Sequence, residues 1–377
     1  MRFSDIPGLD EIKKRLLQSV LSGKIAHAQL FMGREGALNL PLAIAYMTYL
    51  HCTSRGEFDA CGTCPACSKN LKYIHPDTHF VFPVSNVKGD KDDERFRADM
   101  MKSWRSFLLD HPFGNASDWT LSYGGEDKTA IISKDESREI VKSLSLKPFQ
   151  SPFKVMIIWQ PDAMHPSAAN GILKILEEPP QNTFFLLVSN NAERLLPTIL
   201  SRTQQVVVPL LDDDELETYL ASREGDKTRL AQAVEGAEGN LRLALDLVDE
   251  EPGDRHEQFA GWLRACYKQD AVKMLTFSEE FHEMDKLQQH ALLSYALKVF
   301  RDTLLINSGA DMLLRSRGPE LDFVRNFSTK ATLPVIDHAC FLLNDAAAML
   351  ERNGSAKMIF MEMSMQIAGA FRKAAVN

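Results

Sequence analysis

Apolar positions Ile12, Leu16, Leu17, Val20 and Leu21 recur at helical spacing and predict a helix from Asp10 to Leu21, closed by Ser22-Gly23. A short strand follows at Gln29-Leu30-Phe31-Met32. The chain then turns through Gly33-Arg34-Glu35-Gly36 and enters a second helical pattern from Leu38 to His51. Helix, strand, glycine turn and helix in that order is the layout of a phosphate-binding loop. Further on, Lys154–Trp159 and Thr183–Ser189 are short apolar runs that read as buried strands. Helical patterns from Asp135 to Leu146 and from Ser167 to Leu176 accompany them, and a last strand, Gln204–Val208, stops at Pro209. Strands alternating with helices predict a parallel sheet covered on both faces.

Two β-like runs, His79–Val84 and Thr129–Ser133, bracket a stretch of different character, read as an insertion at about 85–128. Inside it Phe96, Met100, Trp104, Phe107 and Leu108 form an apolar stripe that stops at His111-Pro112. The stripe is expected to pack on its own domain rather than on a partner. Because a loop between two strands adds chain at modest entropic cost, removing residues 86–126 is expected to leave the domain folded. From Asp212 onward the pattern is wholly helical. Asp212-Asp213-Asp214-Glu215 places acidic groups at a helix start, and the short pieces 213–222, 227–235 and 239–248 suggest a small lid. Glu251-Pro252-Gly253-Asp254 marks a hinge, after which 255–377 reads as a helical bundle.

At 377 residues the chain exceeds one small module, and 45% hydrophobic with 25% charged residues excludes wholesale disorder. The formal charge of −8 comes with no strongly basic segment, which argues against tight nucleic-acid binding by this chain alone. Met1-Arg2-Phe3-Ser4-Asp5 lacks the apolar stretch of a secretory signal. No apolar run approaches the roughly 18 residues of a membrane span. A cytoplasmic protein with no membrane partner is the expectation.

Cys52, Cys61, Cys64 and Cys67 follow C-x8-C-x2-C-x2-C, with Gly62 and Pro65 as turn residues. Four thiolates at that spacing satisfy tetrahedral zinc and leave no position for water, so a structural zinc is expected rather than a catalytic one. His51 and His75 lie nearby and read as ordinary histidines; Cys266 and Cys340 read as small hydrophobes within helices.

A working phosphate loop reads G-x-x-x-x-G-K-[ST], with the lysine on the terminal phosphates and the hydroxyl on magnesium. Aligned on Gly33, this chain has Leu38 for the second glycine, Asn39 for the lysine and Leu40 for the hydroxyl, while Gly36 remains in the turn. At the end of the strand Lys154–Trp159, where an ATPase carries acidic residues, stand Trp159 and Gln160; Asp162 lies beyond Pro161. Gly33, Gly36 and Asn39 therefore mark a degenerate phosphate loop, with little basis for hydrolysis within the chain.

His27-Ala28-Gln29-Leu30-Phe31-Met32-Gly33, the cysteine module, Asn170-Gly171-Ile172-Leu173-Lys174-Ile175-Leu176-Glu177-Glu178-Pro179-Pro180 and Ile199-Leu200-Ser201-Arg202 occur in one order. Together they resemble the delta-prime family of bacterial DNA polymerase III clamp-loader subunits, AAA+ proteins related to the ATP-hydrolysing gamma/tau subunits. The resemblance covers about residues 1–250 and departs from the family at Thr203, where the usual motif is Ser-Arg-Cys, and in the longer insertion. It implies an α/β AAA+ P-loop domain, 1–208, with a zinc module at 52–67 inserted. A small helical lid domain, 209–250, and an all-α collar domain, 251–377, would follow.

The function implied is that of a non-hydrolysing subunit, with no polymerase or ATPase activity of its own. It would act with gamma/tau-type and delta-type subunits to load a sliding clamp on primed DNA. Arg202 would be an arginine finger supplied in trans to ATP on a neighbour, projecting from the subunit edge. Arg242 falls where AAA+ lids place a sensor arginine, although an ion pair on the helix surface explains it equally well; Ser189-Asn190 resembles a sensor region that is idle. The alternatives are a divergent AAA+ ATPase of the gamma/tau type and a zinc-containing nucleic-acid-binding module, the second opposed by the acidic charge balance.

Overall fold

Five strands build one parallel sheet: β1 (Ala28–Met32), β2 (Thr78–Val81), β3 (Lys154–Trp159), β4 (Thr183–Ser189) and β5 (Gln204–Val207), in the order β2-β3-β4-β1-β5. The computed structural model describes residues 1–85, 94–125, 129–134, 136, 140, 147–223, 225–249, 254–284, 286–314, 316, 318–351 and 354–376. They divide into two units, Met1–Asp246 and Leu247–Asn377.

In the first unit the central strands are apolar on both faces because helices cover both. All six residues of β3 are buried. Helix α1 (Asp10–Leu21) packs its Ile12, Leu16, Leu17 and Val20 stripe inward. Helix α2 (Asn39–His51) has every residue buried, as expected of a helix apolar all round. It leaves the carboxyl end of β1, the position at which open α/β sheets bind ligands. The short α3 (Pro65–Asn70) starts on the cap residue Cys64 with Pro65 in its first turn.

The run Thr129–Ser133 is not a strand of the sheet. Ile131 bridges Val84 and Ile132 bridges Met164 as isolated pairs. Its neighbour is shorter than expected, ending at Val81, and the expected helix from Asp135 to Leu146 lies outside the described residues apart from single positions.

The insertion supplies α4 (Glu94–Asp110) and α5 (Ala116–Ser122), and it does not loop out. Trp104, Phe107, Leu108 and Trp119 are at most 2% exposed. Trp104 stacks on Phe82 at 4.4 Å and meets Trp159 of β3 at 5.0 Å, while the Trp119 indole donates to Pro83 O at 2.7 Å. The stripe thus packs on its own domain, as expected. The expectation that residues 86–126 are dispensable is overturned, because their aromatic side chains complete the core on the β3 side.

Helix α6 (Pro166–Glu177) precedes β4, and the short α7 (Pro197–Leu200) follows it. Three helices, α8 (Asp213–Leu220), α9 (Lys227–Ala237) and α10 (Leu241–Asp249), then follow β5. Asp212 caps α8 through Glu215 N at 2.7 Å, and Glu215 Oε1 accepts from Leu9 N at 2.8 Å, so one glutamate ties the helix start to the N-terminal turn.

The second unit is helical throughout its described residues: α11 (Asp254–Lys268), α12 (Ala271–Glu283), α13 (Lys286–Asn307), α14 (Gly318–Ser328), α15 (Leu333–Glu351) and α16 (Ala356–Val376). Its core gathers Phe259, Trp262, Phe281, Phe300, Phe360 and Ile367. The Trp262 indole is satisfied by Ser364 Oγ at 2.8 Å. Contrary to the sequence expectation, one stretch among the described residues, Leu333–Leu350, is long and apolar enough to cross a membrane. Val335, Ile336, Ala339, Leu342, Leu343, Ala346 and Leu350 of that stretch belong to the core, so it is accounted for as a core helix.

Candidate functional site

The loop between β1 and α2 is pinned by close backbone approach. A Cβ on Gly33 would lie 2.3 Å from Val208 O, where the chain leaves β5, so only glycine fits there. Gly36 has φ +85° and would drive a Cβ to 2.3 Å from Asn240 Cγ. Asn39 opens α2 in the place of the phosphate-loop lysine and is fully buried. Its Nδ2 donates to Ser189 O at 3.1 Å and to Asn190 Oδ1 at 3.0 Å, fastening the loop to the end of β4. Where a lysine would reach outward to phosphate, Asn39 turns inward.

One further feature escaped the sequence reading. Pro41 is the third residue of α2, so one amide of the first turn, normally free to face an anion, has no hydrogen. The signal was legible, since Asn39-Leu40-Pro41 follows the glycine turn directly.

Trp159 is 4% exposed and packs on Trp104 and Phe107, so the place of the acidic pair is taken by an indole facing the insertion. Gln160 follows in the left-handed region at φ 54°, and its N–H donates to Val188 O at 2.8 Å. Asp162 is turned toward β4, where it accepts from Ser189 Oγ at 2.7 Å. The cavity left at this point measures about 40 Å3, lined among others by Gly36, Leu38, Phe113, Gln160, Asn240 and Arg242. A nucleotide needs several times that room.

Arg242 lies at this cavity and is half-buried. It binds Asp118 of α5 at 3.0 Å and also Asp246 on its own helix. Burial opposes its charge, but the hydrogen bonds it donates to both carboxylates outweigh burial and raise its pKa further.

Cys52, Cys61, Cys64 and Cys67 converge from the end of α2, the following turn and the start of α3, with all four Sγ atoms within 4.8 Å of one another. Backbone amides face the sulfurs: Cys61 N to Cys52 Sγ at 3.3 Å, Cys64 N to Cys61 Sγ at 3.3 Å and Cys67 N to Cys64 Sγ at 3.4 Å. Burial raises Cys64, yet donors from Cys67 and Thr53 outweigh it and bring the thiol down to about 5. Cys67 is pushed the other way by burial. Four soft donors at this separation, with amides supporting the thiolate form, fit a divalent metal in a closed tetrahedral shell. Beside them His51 is buried, stacked on His75 at 4.3 Å and bonded to Asn70 at 3.2 Å. Burial and His75 bring its imidazole down to about 3, so it is a neutral core histidine. Cys266 is buried in the second unit and Cys340 is half-buried against the same core.

Arg202 ends the turn after α7. Its Nε donates to Glu177 Oε1 at 2.7 Å, Nη2 pairs with the same oxygen, and Nη1 donates to Thr198 O at 2.9 Å and Ser201 Oγ at 3.2 Å. Instead of projecting freely, the guanidinium rests on the first glutamate of Glu177-Glu178-Pro179-Pro180, with 31% of its side chain exposed.

The sequence model of the family described as "DNA polymerase III, delta subunit" matches residues 8–212, more than half of the chain. The chain belongs to this clamp-loader family. Among individual relatives, the delta-prime subunit of Bacillus subtilis is 24% identical over 315 residues, covering 79% of this chain and 78% of its own length. The delta-prime subunit of Pseudomonas aeruginosa is 30% identical over 199 residues, 52% of this chain and 48% of its own. The tau/gamma subunit of Haemophilus influenzae is 25% identical over 254 residues, 66% of this chain, and the match spans only 30% of that longer protein. A gamma-subunit-related protein from Thermotoga maritima aligns over 97% of this chain and 100% of its own at 15% identity, with a TM-score of 0.41.

Proposed function

We propose that this clamp-loader family member is a non-hydrolysing, delta-prime-type subunit. It acts in the cytoplasm with gamma/tau-type and delta-type subunits to place a sliding clamp on primed DNA. The observation that carries this reading is Asn39, buried at the lysine position and spent on Ser189 O and Asn190. With Trp159 and Gln160 at the strand end, the lysine that would meet a terminal phosphate and the acidic pair that would hold magnesium are both replaced.

In this reading residues 1–208 form the AAA+ domain, 209–250 a small lid and 251–377 a collar domain. Cys52, Cys61, Cys64 and Cys67 hold one zinc. With four protein ligands and no open position, the metal contributes folding energy and no chemistry. Arg202 serves a neighbouring ATPase subunit as a trans finger: its planar fork stays charged and can stabilise negative charge on a transferring phosphoryl group.

The similarity to tau/gamma relatives over 254 residues keeps a second reading in view, a divergent ATPase. ATP turnover by the purified chain decides between them. The first reading expects background turnover alone and full turnover only when a gamma/tau-type subunit is added. Steady turnover by the isolated chain, abolished by Asn39→Ala, would establish the second.

A further inference from the structure

The insertion closes on the cleft that it interrupts. Phe113, Gly114, Asn115 and Ala116, leading into α5, line the cavity opposite Gly36 and Leu38. Asn115 caps α5 and its Nδ2 reaches Glu35 Oε1 at 3.4 Å, tying the insertion to the phosphate loop itself. From the other side, Asn240, the residue before α10, packs on Gly36, and Arg242 lies in the first turn of that helix.

Arg242 meets Asp118 in a two-pronged pair, Nε to Oδ2 at 3.0 Å and Nη2 to Oδ1 at 3.1 Å. The two side chains are 20% and 14% exposed, so the pair is shielded from water far more than an ordinary surface ion pair. Asp118 is oriented independently, because its Oδ2 also accepts from Asn115 N at 2.9 Å. The insertion also reaches α8, where Phe113 meets Tyr219 edge-on at 5.9 Å. Capped helix start, paired arginine and aromatic contact all converge on the mouth of one small cavity.

We propose that the insertion is an internal plug of the nucleotide cleft, in which the Asp118 carboxylate presents to Arg242 the negative charge that a nucleotide phosphate would otherwise present. The plug holds the segment 209–246 closed over the phosphate loop without any nucleotide. This deepens the functional reading above and rests on it only in taking the cleft as a former nucleotide site. Its consequence is thermodynamic: a ligand can shift an equilibrium only through differential affinity for two states, and a cleft already closed by its own chain leaves ATP nothing to select.

Hydrogen exchange on the full chain tests the plug, comparing the unaltered protein with Asp118→Asn and Arg242→Gln, each with and without MgATP. Asp118→Asn keeps the shape and the bond to Asn115 N while removing the charge. Amides at the start of α10 are expected to exchange about tenfold faster or more in either variant, and no faster in the double variant than in the faster single one. MgATP is expected to leave exchange of the unaltered chain unchanged at 33–42. Exchange in α10 that is equal in all four proteins would overturn the plug, as would protection of 33–42 by MgATP in the unaltered chain. ATP turnover by the unaltered chain is the separate result that would sink the non-hydrolysing reading, so the two failures are distinguishable.

Discussion

Trp104 of the insertion and Trp159 at the end of β3 lie with ring centroids 5.0 Å apart, Trp104 fully buried and Trp159 nearly so. The contact joins a segment that interrupts the sheet to the strand that would carry the acidic residues of an ATPase. Phe82, Phe107 and Trp119 surround Trp104, so its removal would open a large void. Trp104→Ala is expected to destabilise the first unit by about 3–5 kcal/mol in urea melts. Deleting 86–126 with a short linker should abolish its cooperative melting. A deletion protein that melts like the intact chain would contradict this assignment of the insertion to the core.

The cysteine cluster predicts one zinc per chain in protein purified without added metal. Cys64→Ser, or a strong chelator, is expected to lower stability by an amount comparable to other metal losses, about 4 kcal/mol or more. Elemental analysis beside thermal melting measures both. A metal-free chain with unchanged melting would remove the structural role.

Much of this site was legible in the residues because the signals are local. The thiolate spacing, the glycine turn and the lost lysine each sit within a few positions of one another, and α1, β3 and β4 carry clean apolar patterns with turn residues at their ends. What the sequence hid is long-range. Nothing in Phe96 to Leu108 says that its aromatic residues meet Trp159, since an apolar stripe specifies burial but not its partner. Asp118 and Arg242 lie 124 positions apart, and only the fold brings them together. Thr129–Ser133 has strand-like composition, yet Val84 and Met164 offer it single bridges, so tertiary context overrode its propensity.

Asp77, 1% exposed before β2, accepts from three successive amides, Phe149 N at 2.5 Å, Gln150 N at 2.7 Å and Ser151 N at 2.8 Å. Burial alone would raise its pKa, but the three donors outweigh burial and hold it below the ordinary 3.8. A depressed folded pKa contributes stability that is fully present above the unfolded value and is lost as pH falls through the folded one. Asp77→Asn should therefore cost about 1–3 kcal/mol at neutral pH, and the gap to the unaltered chain should narrow below pH 3.8. Urea melts at several pH values measure the gap; one that is constant from neutral to acid pH would show that the carboxylate charge is not what matters.

Arg202 rests on Glu177 through a pair whose side chains are 31% and 47% exposed, and pairs in that setting are worth roughly 0–1 kcal/mol. So weak a tether holds the guanidinium near the subunit surface without preventing its transfer to a stronger acceptor, such as a triphosphate on a neighbour. Glu177→Gln should change the stability of the isolated chain by no more than about 0.5 kcal/mol. Arg202→Ala should leave folding and assembly intact and lower the ATPase of a reconstituted loader; trans fingers in well-studied cases are worth about 10³–10⁵ in rate. Arg202→Lys should restore little, because a point ammonium lacks the two-pronged fork. The informative comparison is Arg202→Ala against Glu177→Gln in the same assembly. If the arginine acts on a neighbour's ATP, losing it is severe while losing its resting partner is mild. If instead the pair only fastens α6 to the turn after α7, both substitutions should act alike and through stability. Full ATP turnover and clamp loading with Arg202→Ala would leave the arginine no role beyond its contact with Glu177.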